Sequence, residues 1–299
     1  MPNPNGRPNS DVIKPGANGF ELSRRPRARW IIDFGNTLSE HEAALYERPF
    51  GYMVQHVKAE RLANNREAYR KFWWRFAEPR PGMRAGMKTL PRFIATIAHS
   101  KYRFFVWLPI TTSPDQALIT VARADDATLG LLHARPHELW SLRTGSSIGV
   151  GNDPRYTTTS RFDTFPFRAG LTPADTAHQR TETLPDGAVI PADLPPAVRP
   201  HAEAIARAAR HLTDLRDRWL NPPEWTRREP EVVPLGMTHS PYPERILPRD
   251  GFEARLAQAH ETLDAAVAFA CGWADYTPAL PDQGILRRLL ALNLERSRP

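Results

Sequence analysis

The segment NREAYRKFWWRF, residues 65–76, is the densest group of side chains that could bind a charged ligand. Its basic residues are Arg66, Arg70, Lys71 and Arg75. A helix through the segment places Arg66, Arg70 and Trp74 on successive turns, beside an apolar stripe of aromatic side chains. Because a guanidinium group contacts two phosphate oxygens at once, this spacing predicts binding to a nucleic-acid backbone. The alternative is an amphipathic helix whose arginines pair with acids or stack on the tryptophans.

Asp33 follows a hydrophobic run in the string WIIDFGN, where phosphatases of the haloacid dehalogenase class carry their nucleophile. That chemistry requires a second carboxylate two positions later, and this chain has Gly35 there. We therefore interpret Asp33 as a turn or salt-bridge residue.

Two further strings resemble parts of DNA amino methyltransferases but lack residues that the chemistry needs. Those enzymes stack an aromatic residue after Asn/Asp-Pro-Pro on the extruded base, whereas the string NPPE at residues 221–224 ends in Glu224. The string GSSIGVGND at residues 145–153 is followed by Pro154 and not by a helix, which favours a recognition loop over a turn that binds S-adenosylmethionine. We expect no catalytic residue, no metal site and no cofactor site in this chain.

The hydrophobic spacing predicts an α+β fold with a mixed or antiparallel sheet. Strands are predicted at residues 29–34, 92–96, 102–108 and 117–123, the last three in one sheet. Ser39 followed by Glu42 predicts a capping box at the start of a helix. Pro136 predicts a break between two short helices.

The second half of the chain has a different character. Prolines are frequent in residues 169–196, which we expect to form a linker after a first domain at residues 1–168. Amphipathic helices are then predicted at residues 197–220, 248–272 and 284–296, each with one apolar face. We expect these helices to pack together as a small α-helical C-terminal module, residues 197–299.

The net charge of +7 is unevenly distributed. Residues 1–168 hold 25 Lys and Arg against 15 Asp and Glu, whereas residues 169–299 hold 15 against 18. A basic first half favours a polyanionic partner, and scattered, solvated charge is the alternative. With one cysteine, no run long enough for a membrane span and no apolar leader, we expect a reducing, intracellular location.

A family resemblance is carried by a series of strings in order along the chain. The segment NDPRYTTTSRFDTFPF, residues 152–167, is similar to the one that closes the target-recognition domain of MmeI-like (type IIL) DNA adenine methyltransferases of restriction-modification systems. Upstream, SDVIKPGANGFEL, RRPRARWIIDFG, REAYRKFWWRFAEPRPGMR and LGLLHARPHELWSLRTG support it, and WLNPPEW with LDAAVAFACGW resembles the helical spacer that ends such proteins.

The resemblance implies that the chain supplies sequence specificity to a bacterial, nucleoid-associated modification enzyme active in phage defence. Its partners would be double-stranded DNA and a separate catalytic methyltransferase chain that binds S-adenosylmethionine, and we expect this chain alone to be inactive. The residues expected to contact DNA are Arg24, Arg25, Arg27, Arg66, Arg70, Lys71, Arg75, Arg143, Asn152, Arg155 and Tyr156. The alternatives are an active enzyme with Asp33 or Asn221 at its site, a freestanding DNA-binding or assembly protein, or an inactive fragment of a disrupted restriction-modification gene.

Overall fold

A computed structural model describes residues 3–23, 29–145, 147–148, 153–220 and 252–296. Among the residues singled out from the sequence, Arg24, Arg25, Arg27, Asn152 and the NPPE string lie outside the described residues.

The protein is α+β, as predicted from the sequence. The helices are α1 (Gly19–Ser23), α2 (Glu40–Ala44), α3 (Glu47–His56), α4 (Lys58–Leu62), α5 (Glu67–Lys71), α6 (Pro81–Met87), α7 (Asp126–His133), α8 (Arg135–Arg143), α9 (Arg199–Leu220), α10 (Phe252–Ala270) and α11 (Asp282–Arg296). The strands are β1 (Ile13–Ala17), β2 (Trp30–Ile32), β3 (Arg92–Ile97), β4 (Val106–Pro109), β5 (Ser113–Pro114), β6 (Leu118–Val121), β7 (Ser147–Ile148), β8 (Asp153–Pro154), β9 (Thr181–Thr183) and β10 (Val189–Pro191). Within the described ranges, no helix has both the length and the apolar character of a membrane span.

The chain forms two compact units, the first comprising Met1–Ala124 and Gly145–Ser160. Its main sheet is antiparallel with the order β4-β3-β6, which confirms that the three aromatic and β-branched runs lie in one sheet. The central strand β3 is buried at nearly every position, because it has a neighbour on both sides and apolar residues on both faces. A second small sheet has the order β2-β1-β5.

The capping box predicted from the sequence is present at the start of α2. The Ser39 hydroxyl accepts a hydrogen bond from the Glu42 backbone N–H, and the Glu42 carboxylate accepts one from the Ser39 backbone N–H. Together these bonds satisfy two backbone donors that a helix start leaves without partners.

The prediction of one helix through residues 65–76 is wrong. The helical part, α5, ends at Lys71, and Arg66 precedes it in extended conformation. The reason is the pair Trp73 and Trp74, which are only 2% and 6% exposed. On a helix, adjacent residues point about 100° apart. A turn after α5 instead lets both indoles enter one core, where their N–H groups donate to Glu40 Oε1 (3.0 Å) and the Leu38 carbonyl (3.1 Å).

The second unit comprises Asp125–Thr144 and Arg161–Pro299. Helix α9 packs against both α7 and α10, and α11 packs against α8. The three C-terminal helices therefore do not form a bundle by themselves as predicted, since α7 and α8 belong to the same packing. The close approach of α7 requires Gly130, because a Cβ there would lie 2.6 Å from Ile205 Cγ2.

The segment predicted as a linker, residues 169–196, holds the two-stranded sheet of β9 and β10. This hairpin is fixed to α7 because the Asp126 carboxylate accepts a hydrogen bond from the Val189 N–H at 2.8 Å. Ile190 is fully buried. The prolines of this segment therefore stand in structured connections of the second unit, and the domain boundaries drawn from the sequence remain a prediction.

Candidate nucleic-acid interface

The first unit carries the net positive charge of the chain. It contains 21 Lys and Arg against 11 Asp and Glu, whereas the second unit contains 19 against 22. The excess of ten positive charges therefore belongs to one compact unit. An excess of this sign attracts polyanions at long range and raises their rate of association.

Three of the predicted phosphate-binding residues, Arg66, Arg70 and Lys71, are exposed around the short helix α5. Arg70 Nη1 donates to the carbonyls of Asn64 (2.7 Å) and Asn65 (3.0 Å), which fixes the entry into the helix. The Arg66 guanidinium lies 5.8 Å from the Tyr69 ring. These cations share one short segment although no long helix aligns them.

Arg75 has a structural role that the helix prediction missed. Its Nη1 donates to the Asn36 carbonyl at 2.8 Å, and its Nε and Nη2 both donate to the Leu38 carbonyl. The guanidinium also lies 5.2 Å from the Trp74 ring. This is the alternative noted for the segment, an arginine that stacks on a tryptophan, and it makes Arg75 part of the core support and not an exposed phosphate ligand.

Tyr156 is a core residue and not an exposed side chain available to a base. It is 1% exposed, its ring packs edge-on against Phe105 at 5.6 Å, and its backbone N–H donates to the Ala98 carbonyl at 2.7 Å. The neighbouring residue Arg155 is exposed and pairs with His99 in an isolated antiparallel bridge. Arg143 is exposed in the last turn of α8, in the second unit.

The connection between β3 and β4 carries exposed residues that the sequence analysis did not single out. We call residues 98–103 the β3–β4 tip. His99 and Lys101 are exposed, and Tyr102 is 68% exposed. The sequence analysis placed Tyr102 and Arg103 in a strand at residues 102–108, whereas β4 begins at Val106. The available signal was the string HSKYR, in which cations and an aromatic side chain stand next to turn residues.

A buried arginine holds this tip in place. Arg103 is 6% exposed, and its Nη1 donates to Thr96 Oγ1 at 3.0 Å and to the Ile97 carbonyl. Its Nη2 donates to the Pro154 carbonyl at 3.2 Å, which ties the tip to β8. The guanidinium also lies 4.8 Å from the Tyr156 ring. One side chain thus joins two separate stretches of the chain beneath the exposed residues.

Asp33 is a salt-bridge residue, as interpreted from the sequence. Its carboxylate accepts hydrogen bonds from Arg84 Nη1 (2.8 Å), Arg84 Nη2 (3.1 Å) and the Gly35 N–H (2.9 Å), and Lys14 Nζ lies 3.5 Å away. Burial alone would raise the pKa of Asp33, but the hydrogen bonds and charges of Arg84, Gly35 and Lys14 outweigh it and hold this pKa below its ordinary value. A carboxylate held ionised in this way stabilises the fold.

The exposed side chains of the first unit are suited to binding a polyanion. The exposed cations of α5 and of the β3–β4 tip can meet phosphate oxygens and base edges. Among the residues that the structure describes, no three His, Cys, Asp or Glu side chains are grouped so that they could hold a metal ion.

The fold is similar to that of a solved structure of the type IIL restriction-modification enzyme MmeI in complex with DNA. The two chains superimpose with a TM-score of 0.58 at 15% sequence identity, over 96% of this chain and 31% of that chain. No family model and no curated protein matches this sequence. The chain thus spans less than a third of the length of the protein whose fold it shares. At this identity the similarity concerns the fold alone, so the comparison confirms the fold that the family resemblance implied and nothing finer.

Proposed function

We propose that this chain provides sequence-specific recognition of duplex DNA for an adenine-specific, S-adenosylmethionine-dependent DNA methyltransferase of a restriction-modification system. Methyl transfer belongs to a catalytic part that this sequence does not include, and the cofactor binds there. The observation that carries the proposal is the coincidence of two properties: the first unit holds the whole positive excess, and the fold is similar to that of a DNA-bound enzyme. Such an enzyme acts in the bacterial cytoplasm, where its DNA is.

Two kinds of contact follow from the exposed side chains. Arg66 and Lys71 contact phosphates, which positions the duplex without regard to sequence. Arg155 contacts base edges, because an arginine bidentate to guanine is the commonest specific contact in the major groove. Phosphate contacts release counterions, so the affinity falls with salt by a slope of about −0.9 per neutralised phosphate in log–log terms.

The phosphate contacts are tested by Arg66→Gln with Lys71→Gln. Because two phosphate contacts are lost, the slope of log affinity against log salt should become shallower by about 1.5–2, with the same effect on every duplex sequence. The matched control is Arg80→Gln with Lys88→Gln, which removes two exposed charges from the same unit outside the segment. Equal slopes for the two double variants would contradict this assignment.

The link to methylation is tested by co-expression with a candidate catalytic chain, followed by sequencing of the host DNA for modified adenine. Methylation at one defined motif only when both chains are present supports the proposal. Arg155→Ala should then change or abolish the modified motif while Lys88→Ala leaves it unchanged. Methyl transfer by this purified chain alone would overturn the assignment of catalysis to another part.

A further inference from the structure

We infer that the β3–β4 tip enters the major groove of duplex DNA and acts as a second determinant of sequence preference, through Lys101 and Tyr102. This inference rests on the proposed function and names a contact that the predicted residues did not include. Three observations support it: the exposure of Tyr102, the charge of the tip and its rigid base.

The exposure of Tyr102 is unusual for a large aromatic side chain. At 68% it is the most exposed of the large hydrophobic residues that the structure describes. Tyrosine is enriched at binding interfaces because its ring buries a large area while its hydroxyl forms a hydrogen bond. Lys101 Nζ lies 5.3 Å from the ring, so a cation and an aromatic face are presented together.

The charge of the tip suits a polyanion. The tip, residues 98–103, presents the exposed cation Lys101, is supported by the buried Arg103 and contains no Asp or Glu. Exposed Arg155 adds a further cation, because its bridge to His99 places it beside the tip. A protein partner for this surface would need a cluster of acidic side chains. DNA carries negatively charged phosphates along its whole length.

The base beneath the tip is rigid, which sequence discrimination requires. Hydrogen bonds from Arg103 to Thr96 and Pro154 hold the tip from below, and the Ser100 N–H donates to the Pro154 carbonyl at 3.4 Å. A backbone held on such a base loses little conformational entropy on binding, and the side chains that it carries are positioned to select among base edges. A free loop would adapt to many sequences.

The pattern of base edges selects the groove. The tip is not the end of an isolated two-stranded ribbon, because β3 pairs with β6 up to Ile97 and the Ala98 N–H donates to the Ala117 carbonyl. Side chains that project from the tip therefore do the reading, and only in the major groove does every base pair present a distinct pattern of donors and acceptors to them. Within the major groove, a lysine donates to guanine O6 and N7.

The inference is tested with a pool of duplexes that contain a randomised stretch. Wild type, Tyr102→Ala, Lys101→Ala and the control Lys88→Ala are each bound to the pool, and the bound duplexes are sequenced. Wild type and the control should enrich one motif. The two tip variants should lose about tenfold of the enrichment at one or more positions, the discrimination expected of one base contact. Equal thermal stability of all four proteins excludes misfolding as the cause.

The groove is tested with the enriched duplex rebuilt with one 7-deazapurine at the position whose enrichment Lys101→Ala loses, because Arg155 would sense N7 at other positions. A 7-deazapurine lacks the major-groove N7 acceptor but keeps normal base pairing. Wild type should bind the modified duplex more weakly, and Lys101→Ala should no longer distinguish it from the natural one. Unchanged enrichment in both tip variants, or equal sensitivity to 7-deazapurines in wild type and Lys101→Ala, would overturn the inference while the proposed function stands. If wild type retains no duplex at all, the proposed function itself fails and the inference fails with it.

Discussion

The ion pair between Asp33 and Arg84 offers a quantitative test of how the first unit is held together. The Asp33 side chain is 1% exposed and the Arg84 side chain 25%. Arg84→Met keeps the aliphatic stem but leaves the buried carboxylate with Lys14 Nζ at 3.5 Å and the Gly35 N–H. Removing one partner of a buried pair costs about 3–5 kcal/mol. Because Lys14 remains and Arg84 is partly solvated, we expect a loss of about 2–4 kcal/mol in the free energy of unfolding.

The pH dependence of this loss has a definite sign. In wild type the pKa of Asp33 is held below its ordinary value of 3.8, so the ion pair stabilises the protein above that pH and ceases to do so as the pH falls through the lowered pKa. Arg84→Met removes that stabilisation, so the difference between wild type and variant should be largest near neutrality and should shrink in acid.

Native-state hydrogen exchange is the assay, because it reports each unit separately. Peptides covering β2 and α2 should lose protection in Arg84→Met, while peptides from α9 and α10, in the second unit, should not change. The double variant Asp33→Asn with Arg84→Met should recover part of the loss, since no charge is then left buried. A loss below about 1 kcal/mol at pH 7, or a double variant as unstable as Arg84→Met, would refute the reasoning.

Three further predictions concern the second unit. Gly130→Ala should lower its free energy of unfolding by about 1–3 kcal/mol, measured by denaturant melting, because the added methyl would overlap Ile205 Cγ2 at 2.6 Å. Burial raises the pKa of Asp264 to about 6 despite its hydrogen bond from the Arg135 N–H. The unfolded state therefore ionises first, and stability should fall by up to about 2–3 kcal/mol from pH 4 to 7, a decline that Asp264→Asn should flatten. Burial also raises the pKa of Cys271, the single cysteine, to about 11, so at pH 8 a thiol reagent should label it about a hundredfold more slowly than the same thiol after unfolding.

Local patterns predicted the fold well where one element depends on its own residues. The capping box of Ser39 and Glu42, the sheet of β3, β4 and β6, and the helix α9 with buried Ile205 follow from spacing alone. In each case the secondary structure is determined by residues within one turn or one strand. The capping partners are three residues apart, and the apolar residues recur at the spacing of a helix or a strand.

The candidate site was less predictable, because distant contacts decide which cations are exposed. The sequence placed Arg75 among phosphate ligands, yet the Leu38 and Asn36 carbonyls occupy its guanidinium. Tyr156 was expected to contact DNA, yet it is 1% exposed and its ring packs against Phe105. Backbone carbonyls carry no signature in the residue pattern, so an arginine that will bind them looks the same as one that will bind phosphate.

Arg103 supports the β3–β4 tip through the main-chain oxygens of Ile97 and Pro154, besides its contacts with the side chains of Thr96 and Tyr156. A main-chain carbonyl remains whichever side chain its residue carries. Substitution of the exposed residues of the tip should therefore leave the hydrogen bonds of Arg103 in place. Related proteins with this architecture would therefore be able to diversify their preferred DNA sequence through a few outward residues, and a laboratory library restricted to positions 99, 101, 102 and 155 should retain foldable members at high frequency.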